Sequence, residues 1–89
     1  MQTPDFAVLE TFVAVVESGT LSRAAARLET TTGAVSRRIA GLEQRLGLRL
    51  LNRSTRRLSL TEAGERYYED VVGILRALTE AEDRVTHLS

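Results

Sequence analysis

Every basic residue in this sequence is an arginine, and nine of the twelve lie between Thr20 and Leu58. Arg23, Arg27, Arg37, Arg38, Arg45, Arg49, Arg53, Arg56 and Arg57 meet only Glu29 and Glu43 in that stretch, which therefore carries +7, against −3 over residues 1–19 and −4 over residues 59–89. The formal net charge of zero hides this segregation. A guanidinium presents parallel N–H donors that fit a phosphate or the O6/N7 edge of guanine, which a lysine ammonium does not. Using arginine throughout fits that chemistry or a GC-rich genome; the clustering, unlike the residue choice, calls for a surface of one sign.

Other chemistries lack their residues. No cysteine is present, so disulfides and thiolate metal sites are excluded and a reducing cytoplasm is expected. The single histidine, His87, reads as a solvated residue, and no paired-carboxylate motif is evident, so neither an enzyme, a cofactor nor a metal is expected. Phe6 and Phe12 read as core, and Tyr67 and Tyr68 belong to the last helix, which leaves no aromatic to stack on single-stranded RNA. No apolar run approaches the roughly 20 residues that span a bilayer.

Hydrophobic spacing supplies the scaffold for the arginines. Thr3, Pro4 and Asp5 form a helix start, Phe6, Leu9, Val13 and Val16 recur at helical spacing, and Gly19 offers a left-handed stop. Thr20 or Ser22 caps a shorter second helix with the apolar row Ala24, Ala25 and Leu28. The hydroxyl-rich run Glu29-Thr30-Thr31-Thr32 favours a turn and a fresh start near Thr31. A third helix follows, with Val35, Ile39, Leu42 and Leu46 as its core row and Gly47 closing it.

The period then changes. Leu58 and Leu60 alternate with Ser59 and Thr61, and the polar run from Asn52 to Arg57 suits a hairpin whose tip lies around Ser54 and Thr55. Thr61 caps a last helix with Glu62 and Glu65 in its first turn. Along it Tyr67, Val71, Ile74, Leu78, Ala81, Val85 and Leu88 recur about every 3.5 residues. Tyr68, Val72 and Leu75 widen this stripe, so one row can pack on the domain while the other pairs with a second copy. The expected fold is mainly α, a winged helix-turn-helix of three helices plus a short β-hairpin wing, followed by a long dimerisation helix. Residues 1–61 form the winged domain, with the helix-turn-helix at about 21–40 and the wing at about 50–60; residues 62–89 form the linker helix.

At about 100° per residue, Arg37 falls opposite the core row of the third helix, with Gly33, Ala40 and Gly41 around it. Such a face can enter a major groove roughly 12 Å wide, with Arg37 reaching a guanine edge. Ser36 and Arg38 flank it, and Ser22 and the helix start at Thr31, Thr32, Gly33 and Ala34 bring hydroxyls, amides and the positive helix end toward phosphate. The plain alternative is a solvated arginine on an ordinary helix. Arg53, Arg56 and Arg57 suit entry into a narrow minor groove, although charges at a hairpin tip also guard a sheet edge.

The run LSRAAARLETTTGAVSRRIAGLEQRLGLRLLNRSTRRLSLTEAGERYY resembles the N-terminal DNA-binding region of LysR-type transcriptional regulators. The matching elements are the alanine-rich second helix, AVSRRI, the LE..LG..L that ends the recognition helix, and LTEAG opening the linker helix. The resemblance implies a winged helix-turn-helix that dimerises through its linker helix and binds interrupted palindromes in double-stranded DNA, working in the cytoplasm at the nucleoid. It carries the family's Ser-Arg pair onto Ser36 and Arg37, and its wing arginines onto Arg53 and Arg56. Where many members have Gln-Pro, this sequence has Thr32-Gly33, so a base contact made by that glutamine is not carried over to this sequence. Full members also carry a two-lobed effector-binding domain, absent from these residues; the last helix ends without a glycine or proline stop, as expected of a piece of a longer chain. The competing expectation is a coiled-coil protein-interaction module without DNA binding.

Overall fold

The computed structural model describes residues 5–53 and 58–88. Thr3, Pro4, the hairpin tip at Ser54 and Thr55, and Arg56 and Arg57 lie outside the described residues. Each helix begins where a side-chain oxygen replaces a missing backbone partner. Asp5 accepts from the Ala7 amide at 2.9 Å and opens α1, Phe6–Ser18, which stops at Gly19 in the left-handed region (φ 82°). Thr20, and not Ser22, caps α2, Leu21–Arg27, by accepting from the Arg23 amide. Thr31 caps α3, Thr32–Leu46, which ends at Gly47 (φ 74°). Between α2 and α3, Glu29 adopts φ 56°. This conformation costs a non-glycine residue roughly 1–2 kcal/mol and turns the chain so that α3 crosses α2.

Strands β1, Leu51–Asn52, and β2, Ser59–Leu60, pair antiparallel with Leu51 opposite Leu60 and Asn52 opposite Ser59. Thr61 then caps α4, Glu62–Thr86. The main core gathers Phe12, Val15, Ala24, Ala25, Val35, Ile39, Leu42, Leu50 and Leu51, so all three short helices and the root of the hairpin share one interior. A second cluster of Leu9, Val13 and Val71 joins α4 to α1. No helix among the described residues is long and apolar enough to cross a membrane.

Four apolar residues depart from their expected places. Phe6 is exposed because the first residue of α1 reaches past the edge of the packed helices. Leu46 is exposed too, since in the last part of α3 the inward place goes to Glu43, one of the few polar side chains in the interior. On α4, Val71 is only 1% exposed, covered by Leu9 and Val13. Tyr67 is half-buried, its ring centroid 5.6 Å from that of Phe12. The row expected to pair with a second copy therefore splits, because its first two members are spent on α4's own domain.

The start of α4 is fastened to the hairpin root by backbone contacts. The Thr61 amide donates to the Leu50 carbonyl at 3.0 Å and the Thr61 hydroxyl to the Arg49 carbonyl at 2.7 Å. Gly64 lies directly on the Leu50 carbonyl, and a Cβ there would collide with that oxygen and sit 3.1 Å from Leu60 Cδ2. One turn later the Tyr68 hydroxyl donates to Glu17 at 2.9 Å, and Arg27 pairs with the other oxygen of the same carboxylate at 2.8 Å. The Arg27 hydrogen bond, then that of Tyr68, lowers the Glu17 pKa below its ordinary value, and Glu17 in turn raises that of Tyr68.

Two outcomes follow. Alanine normally strengthens a helix interior by roughly 1 kcal/mol over glycine. Here the collision with Leu50 reverses the sign, and Gly64→Ala should lower stability by about 1–3 kcal/mol in thermal melts followed by circular dichroism; an unchanged or raised Tm contradicts the close approach. Because the folded pKa of Glu17 is depressed, its contribution is fully present above the ordinary value of 4.5 and is lost as pH falls through the folded value. Glu17→Gln should therefore flatten the acid side of the stability-against-pH curve and leave its slope near neutral pH alone; equal acid slopes in both proteins count against the pairing.

Candidate nucleic-acid interface

α3 shows two faces. Val35, Ile39 and Leu42 are buried against α1 and α2, while Gly33, Arg37, Ala40, Gly41 and Gln44 are exposed along the opposite side. Arg37 is the only charged side chain among these five, and the residues around it carry little bulk. Its guanidinium folds back over Gly33, where a Cβ would stand 3.3 Å from Arg37 Nη1. Side chains longer than a hydrogen at position 33 therefore crowd the fork.

The start of α3 is open to solvent. Thr31 and Thr32 are exposed, and Thr31 Oγ1 accepts from the Ala34 amide at 3.0 Å, which leaves its hydroxyl hydrogen to donate outward. Ala34 and Ser36 are half-buried on the flanks of the exposed face, and Ser22 is exposed near the start of α2. Arg37 and Arg45 also line a groove between the start of α1 and α3, with Arg38, Asp5, Val8, Gly41 and Leu42.

Two arginines grouped with Arg37 from the sequence are held elsewhere. Arg38 is half-buried and donates from Nη1 to Thr11 Oγ1 at 3.3 Å, so its stem covers the α1–α3 contact. Thr11 in turn donates to the Ala7 carbonyl, and this buried hydroxyl was invisible as a partner when position 11 was one polar residue in an apolar helix. Arg53, at the end of β1, lies 3.2 Å from Glu43. Among the described residues, Arg23, Arg37 and Arg45 enter none of the ion pairs, which involve Arg27, Arg49 and Arg53.

Glu43, counted from the sequence only as one of two acids in the basic stretch, has a structural place there. Its side chain is 7% exposed. Oε2 accepts from the amides of Leu50 and Leu51 at 2.8 and 3.1 Å, while Oε1 faces Arg49 and Arg53 at 3.4 and 3.2 Å. A buried carboxylate with its acceptor sites filled in this way is a structural anion. Its signal was available, because four residues beyond Ile39 lies the same face as the core row.

This arrangement has close counterparts. The family described as "Bacterial regulatory helix-turn-helix protein, lysR family" matches residues 6–65. The regulator CrgA of Neisseria meningitidis is 51% identical over 74 residues, covering 83% of this chain and 25% of the relative. A transcriptional regulator of Xanthomonas campestris is 51% identical over 77 residues, covering 86% and 22% respectively. The chain thus spans about a quarter of the length of these two relatives. In three dimensions it superposes on the BenM DBD in complex with catB site 1 DNA with a TM-score of 0.93 at 29% identity, covering 96% of this chain and 94% of that one. The CbnR DBD in its DNA complex gives 0.87 at 36% identity, covering 96% and 98%. With a family match over most of its length and close superposition on these two domains, the chain belongs to the LysR family of bacterial regulatory helix-turn-helix proteins, and it is a winged helix-turn-helix DNA-binding domain of that family.

Proposed function

We propose that this chain reads double-stranded DNA with α3 in the major groove and the hairpin at the neighbouring minor groove, two copies together covering the halves of an interrupted palindrome. One observation carries the proposal: Arg37 stands exposed on α3 among Gly33, Ala40 and Gly41, away from the buried row of Val35, Ile39 and Leu42. Glycine and alanine at 33, 40 and 41 let the helix axis approach base edges, and a guanidinium is the group that meets guanine O6 and N7 together. Thr31, Thr32, Gly33, Ala34 and Ser36 at the start of α3, with Ser22 beside them, suit phosphate and edge contacts. Arg53, Arg56 and Arg57 suit the minor groove or its phosphates, and Arg38 would serve from the rim of the helix, its stem on α1.

The second copy is proposed to pair along the outer half of α4. Ile74 is 50% exposed, Leu78 40%, and Val85 and Leu88 more so, beyond the first turns of α4, where the same face is already docked on α1. With Ala81 they continue one stripe at coiled-coil spacing. A two-fold axis through that stripe gives two recognition helices related as the halves of a palindrome are. Tyr67 and Val71 are left out of it, because both pack on α1 of their own protomer. The named relatives are transcriptional regulators, and regulation of transcription from the cytoplasm is the role proposed for the whole protein.

Arg37→Ala should cost about 1–3 kcal/mol on a duplex that the wild-type chain selects from a randomised pool, and much less on random-sequence DNA. Arg37→Lys keeps the charge and loses the fork; if it discriminates between the two duplexes as well as wild type does, the bidentate role of Arg37 is wrong. Leu78→Asp places a charge in the apolar stripe and should weaken dimerisation by about 2 kcal/mol or more in sedimentation equilibrium without lowering the helix content of the monomer. A wild-type chain that stays monomeric at high micromolar concentration rules out the α4 pairing. Failure of the wild-type chain to select any duplex would favour the coiled-coil interaction module instead.

A further inference from the structure

We propose that Glu43 is a positioning residue for DNA recognition, its buried carboxylate holding the Arg53 guanidinium in place at the base of the hairpin so that the arginine meets DNA already ordered. This rests on the reading that the hairpin reaches DNA through Arg53. The two oxygens of Glu43 divide the work. Oε2 takes the Leu50 and Leu51 amides at 2.8 and 3.1 Å and so ties the first residues of the hairpin to α3. Oε1 lies 3.2 Å from Arg53 Nη2. Arg49, the other arginine on Oε1, is 3.4 Å away and 69% exposed, whereas the Arg53 side chain is only 30% exposed. Arg53 is therefore the arginine that the carboxylate restrains.

A guanidinium has five N–H donors, and the contact with Glu43 engages one end of the fork only. The remaining donors can meet a phosphate or a groove edge while the grip on Glu43 persists. The carboxylate is itself fixed by backbone amides, so Arg53 inherits the position of β1 relative to α3. An arginine free to sample its rotamers would lose that freedom on binding; one already held loses less.

Coulomb attraction alone predicts the opposite effect of removing Glu43, because deleting a negative charge beside the phosphates should raise affinity. The sign therefore separates positioning from bulk electrostatics. Glu43→Gln keeps a carbonyl oxygen for the Leu50 and Leu51 amides while turning an N–H toward Arg53 and releasing it. Fluorescence anisotropy on a duplex selected by the wild-type chain should show Arg53→Ala weaker than wild type and Glu43→Gln weaker by about tenfold, a coupling of the size expected for groups in contact. The double variant should be no weaker than Arg53→Ala. Tighter binding by Glu43→Gln overturns the proposal, as does a double variant whose losses multiply, which would mean that Glu43 acts through the backbone. Arg53→Ala binding as tightly as wild type overturns it at the root, by removing Arg53 from the interface. Should Glu43→Gln fail to fold, the unaltered chain still decides: without DNA, slow rotation of the Arg53 guanidinium in side-chain NMR supports the restraint, and rotation as fast as that of a solvated arginine overturns it.

Discussion

The backbone from Arg49 to Leu51 is the joint on which the rest of the molecule hangs. Leu50 and Leu51 are buried, so their amides and carbonyls need partners inside the protein. The amides go to Glu43 at the end of α3. The carbonyls of Arg49 and Leu50 go to Thr61, which is also the cap of α4. Gly64 closes the contact by letting the first turn of α4 rest on the Leu50 carbonyl. Three elements thus take their relative positions from three residues of chain. Leaving one such buried group unpaired costs about 1–3 kcal/mol, a large share of what a domain of this size has in hand.

Charge in this domain is sorted between holding and reaching. Arg27 and Arg53 are paired with carboxylates, Arg38 is bonded to a buried hydroxyl, and Arg37 stands on the exposed face of α3. The pair between Arg27 and Glu17 is half exposed and contributes little to stability, about 0–1 kcal/mol at most. Its value lies in geometry, because the same carboxylate accepts from Tyr68 and so fixes α4 to both α1 and α2. α4 is thus tied to α1 and α2 at that carboxylate and to the end of α3 through the joint at Arg49–Leu51. The direction in which α3 points is in this way coupled to the direction of the helix that carries the exposed apolar stripe.

Local sequence was enough for where the helices start, the glycine stops and the face of α3, since these depend on interactions three or four residues apart, while at α2 it left the cap open between Thr20 and Ser22. Asp5, Thr20, Thr31 and Thr61 bond within their own first turns, Gly19 and Gly47 take the left-handed conformations that stop helices, and the row through Val35, Ile39 and Leu42 decides by itself where Arg37 points. The family motif, read from the same stretch, carried the winged helix-turn-helix and its DNA-binding nature. Only the tertiary structure decided which surfaces are covered and which charges are spent. Periodicity made Tyr67, Val71, Ile74 and Leu78 one stripe, but α1 buries Val71, half-covers Tyr67 and leaves the others bare. Sequence counted Arg38 and Arg53 with Arg37, but Thr11 and Glu43, which hold them, are 27 and 10 residues away along the chain. It also left Gly64 as one letter of a motif, because the carbonyl that forbids a side chain there belongs to Leu50, on another element. A helix prescribes its own faces through bonds between near neighbours; what those faces meet is set by segments that come together only when the chain folds.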